Sequence, residues 1–494
     1  MAARQIAVVG GGLAGIATAL DCARAGAEVT LLESRPRLGG AAFSFVRDGL
    51  HMDNGQHVFL RCCTEYRRLL EDIGADDLVT MQRRMEIQVL APGGRRALLR
   101  RCALPAPLHL APALARYGML EARERLGAAR TAQALRRVDR DDPGNDELSF
   151  GDWLSARGQA NGTLTTLWDL VARPTLNLDP AEASLAQAAQ VFQVGLLADR
   201  SAADIGFARV PLSQIHDIRA QRALAAAGVE IRLRRGVTAL TRTRSGYDVE
   251  ISAGPTVKAD AVVLAVPPDR ARRLLPSGSG VSGDDLIALG RSPIVNLHVL
   301  YDRQVLDAPF AACVHSPVQW IFDRTASSGR DHGQYVVVSL SAAEAELSQT
   351  ADELRERYLP ALADVLGTDA AVEGFLVTRE HSATFRAGPG ARAHRPGART
   401  SLPGLVLAGS WTDTGWPATM EGAVRSGHAA ACEALAGPVR RRRRTARPAI
   451  VRFRHTRAHS HARAAAASAS AAASAPAASA SLPASGSHES ERTA

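Results

Sequence analysis

The run Ile6-Ala7-Val8-Val9-Gly10-Gly11-Gly12-Leu13-Ala14-Gly15 constrains this chain more than any other feature. A β-branched apolar stretch meets glycine at once, and small residues from Ile16 to Ala25 carry on with helical character. A second strand pattern spans Glu28 to Leu32 and ends at Glu33. Gly10 permits the tight turn, Gly12 lets backbone approach a pyrophosphate, and Gly15 lets helix and strand pack closely. The helix start, with Leu13 and Ala14, offers free N–H groups and a positive dipole end to phosphate. Glu33 lies 18 residues beyond Gly15, near the spacing at which a carboxylate reaches a ribose hydroxyl. The strand–turn–helix–strand order turns a weak motif into a dinucleotide site.

The residues after Glu33 narrow the dinucleotide. Ser34-Arg35-Pro36-Arg37-Leu38-Gly39-Gly40 adds a glycine pair that an NAD site does not need. Here the chain resembles flavoproteins of the amine oxidase and carotenoid desaturase superfamily, in which such a pair passes the FAD pyrophosphate. Far downstream, Pro403 to Thr412 reads as a buried strand ending in a turn at Gly409 and Ser410. Pro417 to Gly427 then starts a helix near Met420 and Glu421. This pair of segments looks like the C-terminal flavin motif of the same superfamily. The two resemblances, almost 400 residues apart, together imply FAD. Gly278-Ser279-Gly280-Val281-Ser282-Gly283 also fits GxGxxG, but Pro268 to Leu275 before it reads as a short charged helix, so this is a loop. With no second nucleotide fold, electrons are expected from a diffusible external donor.

The formal charge of +9 is unevenly placed: 11 of the 59 basic and 2 of the 50 acidic residues lie from Arg440 onward, which leaves the rest balanced. The charge is therefore no sign of nucleic acid. Lysine occurs once, at Lys258, which makes arginine abundance compositional. Cys22, Cys62, Cys63, Cys102, Cys313 and Cys432 form no CxxC, and no metal constellation appears. With no signal peptide pattern and no apolar run of 18 residues, the expectation is a cytoplasmic enzyme, peripheral to a membrane at most.

The expected fold is α/β: a discontinuous Rossmann-like FAD-binding domain joined to an α+β substrate domain of the amine oxidase and desaturase type. The FAD domain would be assembled from residues 1–60, 207–270 and 396–437. Segment 61–206, mainly helical, and segment 271–395, a sheet facing the flavin, would form the substrate domain. Strands are expected over Val229–Leu233, Val237–Leu240, Tyr247–Ile251, Ala259–Val266, Ile294–Tyr301, Val318–Phe322, Tyr335–Leu340 and Gly374–Thr378, and a helix over Ser213–Ala227. Residues 438–494, rich in Arg, Ala and Ser, cannot build a core and are expected to be disordered. Their arginines, like the proline-broken apolar stretch Leu104 to Leu114, are candidates for lipid contact.

Finer resemblance comes from His51-Met52-Asp53-Asn54-Gly55-Gln56-His57-Val58, Arg173-Pro174-Thr175-Leu176-Asn177, Gln319-Trp320-Ile321-Phe322-Asp323-Arg324 and Trp416 to Gly422. Over residues 1 to about 437 the chain resembles the hydroxysqualene dehydroxylase family, also known as squalene-associated FAD-dependent desaturases. The resemblance implies a lipophilic isoprenoid substrate, reduced flavin as hydride source, and a backbone contact from Val237 to the adenine end of FAD. Asp53 and His57, on a loop expected near the flavin, are the candidate acids. Trp320 and Trp416 are candidate pocket walls. Two positions depart from the pattern: Ala41 stands where relatives carry Arg at the pyrophosphate, and Ser410 where they carry Asp at the ribityl chain. Losing a charged hydrogen bond at either costs about 1–3 kcal/mol, which helix dipole and backbone contacts are expected to outlast. Alternatives left open are a carotenoid-type desaturase or isomerase, an amine oxidase, and a non-catalytic FAD scaffold tethered to membrane.

Overall fold

Five short strands, most of them largely apolar, build the first sheet. In the computed structural model, which describes residues 3–436, strands Glu230–Arg232, Glu28–Leu32, Gln5–Val9, Ala261–Leu264 and Leu405–Leu407 lie side by side in that order, all parallel. Runs such as AVVL and LVL are apolar at every position because a parallel sheet is covered on both faces. Ile6, Val8 and Val263 face helices Leu13–Arg24 and Met420–Ala436, while Ala7, Val9 and Val262 face a small antiparallel sheet. That sheet consists of Val237–Thr243, Gly246–Ile251 and Val257–Ala259. The run read as one strand, Ala259 to Val266, thus divides at Asp260 between two sheets.

A second, seven-stranded sheet carries the other half of the fold. Its order is Val372–Thr384, Ser292–Tyr301, Gln334–Ser341, Trp320–Asp323, Phe310–Cys313, Glu86–Ala91 and Arg95–Arg100. Along Ser292–Tyr301, Val295, Leu297, Val299 and Tyr301 pack on Leu354, Tyr358 and Leu362 of helix Ala351–Leu366. The alternate residues, Asn296 and His298 among them, turn towards the hairpin Ser44–Arg47 and Leu50–Asp53. The last two strands come from segment 61–206, which is otherwise mainly helical, as expected. Glu86–Ala91 is six residues long, too short for periodicity to separate strand from helix. The rest of that segment is largely helical, around a buried cluster of Phe150, Trp153, Trp168 and Phe192.

The loop at Gly278–Gly283 is a turn, as its surroundings suggest: a helix, Pro268–Leu274, precedes it and Ser282 caps the next helix at Asp285 N–H. The six cysteines are free. No helix among the described residues is long and apolar enough to cross a membrane. Residues 438–494, expected to be disordered, lie outside the described residues.

Helix Leu13–Arg24 and helix Met420–Ala436 cross at Gly427, where a Cβ would lie 2.4 Å from the Ala14 carbonyl oxygen. Thr18 Oγ1 donates to the Gly427 carbonyl at 3.0 Å across the same crossing. Gly427→Ala is expected to destabilise the protein by about 1–3 kcal/mol through overpacking, read as a lower thermal midpoint of the flavin-loaded protein.

Candidate active site

Two glycine turns form the first part of the site. Gly10 has φ +107°, and a Cβ on it would sit 2.3 Å from the Ala265 carbonyl oxygen, so only glycine fits. At Gly15 the corresponding distance, to the Gly10 carbonyl oxygen, is 1.9 Å. Gly12 differs: a Cβ on it would meet only the Gly40 Cα, at an ordinary contact distance of 3.7 Å. Gly12 is also the N-cap of helix Leu13–Arg24 and supplies no side-chain cap. The first amides of that helix, at Leu13, Ala14 and Gly15, are left for an anion.

Glu33 lies buried beneath this turn and organises it. Its Oε2 accepts from Gly11 N–H at 2.6 Å, and its Oε1 from Arg35 N–H at 2.7 Å. The loop Gly39–Gly40 closes over the turn, with Gly39 N–H donating to the Gly11 carbonyl at 2.9 Å. His216 holds the loop from behind: Nδ1 lies 3.2 Å from the Ala42 carbonyl, and Nε2 lies 2.8 Å from the Tyr66 hydroxyl. Ala41 is exposed and gives its carbonyl to Asn54. The guanidinium at this loop comes from Arg37, which lies 3.5 Å from the Phe43 ring centre and donates to the Gly40 carbonyl at 3.2 Å.

The third wall is the segment after Leu405–Leu407. Gly409 N–H donates to Ser426 Oγ at 2.8 Å, and Ser410 is half-buried. Arg395, which sequence reasoning missed, clamps this loop from inside by donating to the carbonyls of Thr412 at 2.6 Å and Trp416 at 2.8 Å. Burial lowers its pKa to about 10. Met420 begins the C-terminal helix. Glu421 points away from it as a buried cap for helix Thr64–Asp72, accepting from Tyr66 N–H at 2.7 Å and from Arg425 Nε at 2.7 Å. Val237 is buried and gives its carbonyl to Arg270.

The loop Asp53–His57 lies between this cradle and the seven-stranded sheet. Asp53 Oδ2 accepts from Arg324 Nη2 at 2.5 Å; Oδ1 accepts from Ser44 Oγ at 2.6 Å and Leu212 N–H at 3.1 Å. With both oxygens engaged, the geometry gives Asp53 a loop-holding role in place of the expected acid. His57 Nδ1 lies 3.0 Å from the Gly55 carbonyl. A carbonyl only accepts, so Nδ1 carries the proton and Nε2 presents a lone pair. Burial holds the His57 pKa below its ordinary value, which keeps the ring neutral.

Beneath the loop, Trp320, Ser339, Asn296 and Thr378 form one lateral row across four strands. His298 lies one step along, with Nδ1 2.6 Å from the Tyr335 hydroxyl and Nε2 3.0 Å from Thr378 Oγ1. Leu60, Leu167, Val171, Leu196 and Phe207, like Trp320, are partly buried against the apolar cluster that holds Met85, Ile87, Phe310 and Phe322. Trp416 packs under Arg425, 4.7 Å from its guanidinium. Arg173 bridges Asp169 and Asp179 at 2.8 Å each, and Asn177 ties its helix to Ser292 and Ala342, so both act on structure.

Residues 13–435 match the family described as flavin containing amine oxidoreductase. The chain belongs to that family. It is 31% identical to the hydroxysqualene dehydroxylase of Rhodopseudomonas palustris, over 88% of this chain and 99% of that one. It is 25% identical to the zeta-carotene desaturase of Zea mays, over 86% of this chain and 82% of that one. A solved structure of redesigned putrescine oxidase shares the fold, with a TM-score of 0.67 at 19% identity, covering 88% of this chain and 99% of that one. The chain is an FAD-dependent oxidoreductase. The uncapped helix start at Gly12, where no side chain caps the first amides, fits the pyrophosphate.

Two predictions follow from this geometry. Removing one partner of a buried ion pair costs about 3–5 kcal/mol, so Arg324→Ala and Asp53→Ala should each lower the thermal midpoint sharply. The double variant should be little worse than either alone. The second concerns acid. Burial lowers His216 and His298 to about 4, against an unfolded value near 6.5. Above that value both states are neutral and the stability is present. Between pH 6.5 and 4 the unfolded chain takes protons the native fold refuses, so stability is lost, by about 2 kcal/mol per histidine at pH 5. Thermal midpoints from pH 7.5 to 5 should fall accordingly.

Proposed function

We propose that the protein removes the allylic hydroxyl of hydroxysqualene reductively, giving squalene. The observation that carries the reading is the match to a hydroxysqualene dehydroxylase over 99% of that protein's length. Leu60, Leu167, Val171, Leu196 and Phe207, partly buried on the cluster of Phe310 and Phe322, supply apolar surface of the kind a long hydrocarbon needs. In the balanced reaction the C–O bond breaks, the oxygen leaves as water after gaining a proton, and hydride takes its place. Reduced FAD, when bound, supplies that hydride and is restored by an external electron donor.

The protein's own contribution is to orient, exclude water and manage one proton. Of the two acids expected from sequence, His57 keeps a ring nitrogen without a hydrogen bond among the described residues. It is neutral at rest, so it must take up a proton at Nε2 before giving it to the leaving oxygen. Exposed Leu104 and Leu108 form the surface we assign to the lipid that delivers substrate. The match to zeta-carotene desaturases favours a second reading, in which a polyene loses hydride to oxidised flavin.

Mixing anaerobically reduced enzyme with hydroxysqualene separates the two. The expected result is flavin reoxidation with one squalene formed per flavin, slowed about 10²-fold or more in His57→Gln. Flavin that stays reduced with hydroxysqualene, while oxidised enzyme is bleached by a polyene, would establish the second reading.

A further inference from the structure

A cavity of about 340 Å³ lies beside strand Glu86–Ala91 of the seven-stranded sheet. Arg83, Arg84 and Arg100 line it, and Glu86 is the one acid among its lining residues. Arg100 Nε is paired with Glu86 at 2.7 Å across the hairpin. Arg83 and Arg84 are exposed, and their side chains have no partner among the described residues. Three guanidiniums against one carboxylate leave the cavity with a net charge of two positive. Charge on an edge strand guards against pairing with another sheet, which accounts for Arg95 and Arg96 on the outermost strand, Arg95–Arg100. It does not account for Arg83 and Arg84, which precede an inner strand and share a cavity.

Apolar surface adjoins this charge. Leu98 is exposed, lies directly opposite the cavity residue Gln88, and shares a strand face with Arg100. Arg101 N–H donates to the Met85 carbonyl at 3.1 Å and its Nη2 to the Arg83 carbonyl at 3.0 Å, so residues 83–85 run beside the end of that strand. The loop carrying exposed Leu104 and Leu108 leaves from the same end, where Cys102 N–H donates to the His109 carbonyl at 2.9 Å. We propose that the cavity binds the phosphate of an anionic phospholipid and so seats the protein on a charged bilayer. A guanidinium offers a planar fork of donors that matches phosphate oxygens, and leucines beside it enter the acyl boundary. A bilayer is favoured over a free anion because only a bilayer covers Leu98, Leu104 and Leu108. Buried Phe310 also lines the cavity, and its ring packs on Phe207 and Trp320, so the headgroup is held next to the apolar cluster. The inference rests on the lipid surface assigned above to Leu104 and Leu108, and adds the headgroup charge which that surface selects.

Flotation of the full FAD-loaded chain with phosphatidylcholine vesicles, with and without phosphatidylglycerol, tests the assignment. Wild type should bind the anionic vesicles at least about tenfold more tightly than the neutral ones. An arginine at an anionic surface is worth about fivefold, the factor equivalent to about 1 kcal/mol. The double variant Arg83→Gln, Arg84→Gln should therefore bind anionic vesicles about 20-fold more weakly, with bound FAD and thermal midpoint unchanged. Arg95→Gln with Arg96→Gln removes the same charge outside the cavity and should cost no more than about fivefold. The arginines from Arg440 onward are the same in all three proteins, so the comparison cancels them. Equal losses in the two double variants, or none in either, would overturn the site in favour of diffuse charge. Inorganic phosphate bound by wild type and not by the Arg83/Arg84 variant, with vesicle binding equal in both, would give the cavity to a free anion and overturn it too. Wild type that binds both kinds of vesicle alike defeats the headgroup site alone. Wild type that binds neither defeats the lipid surface as well.

Discussion

Around Gly12 and Gly40 two stretches of backbone meet where side chains would ordinarily hold them apart. A Cβ on Gly40 would lie 2.8 Å from the Gly12 Cα, and Gly40 itself has φ +57°. This contact lets the first turn of the sheet and the following loop act as one surface, with an uncapped helix start between them. The other walls are set from it. Glu33 holds the turn from below, His216 holds the second loop from behind, and the C-terminal helix packs against the first helix at Gly427. Beside Ala41 the guanidinium at the loop is that of Arg37, which donates to the Gly40 carbonyl.

The substrate half is coupled to this surface by buried polar pairs. Asp53 meets Arg324, Asn54 meets Asn296, and Thr378 connects through His298 to Tyr335. The first two join the Asp53–His57 loop to the sheet and to the residue following its strand Trp320–Asp323, while the third runs across three strands of the sheet. Such pairs are sensitive to the loss of one member, since the survivor is left buried and unpaired. They fix one register of loop on sheet.

The cofactor half was legible in the sequence because its chemistry is local. Gly10, Gly12, Gly15 and Glu33 lie within one strand–turn–helix–strand unit, and the close contacts at Gly10 and Gly15 follow from spacing alone, whereas the bond from Gly11 N–H to Glu33 does not. The parallel strands were equally legible as uninterrupted apolar runs. The substrate half was less so, because its contacts are non-local. Arg324 stood in a motif that gave no hint of Asp53, 271 positions away. Asn296 and His298 looked like interruptions of an apolar strand until the sheet put Ser339 and Thr378 beside them. Arg395 had no sequence signal at all, since its partners are backbone carbonyls. The strand Glu86–Ala91 was missed because six residues are too few for periodicity to mark, although its hairpin partner Arg95–Arg100 is close by.

The fate of hydrogen at the carbon that bears the hydroxyl tests the central claim most directly. A single turnover of flavin-reduced enzyme with hydroxysqualene in D2O, followed by mass spectrometry of the product, reads it. Hydride on reduced flavin exchanges with solvent, so the account requires squalene carrying one deuterium at the former carbinol carbon. Unlabelled squalene, or a dehydrated polyene with one more double bond, would contradict it.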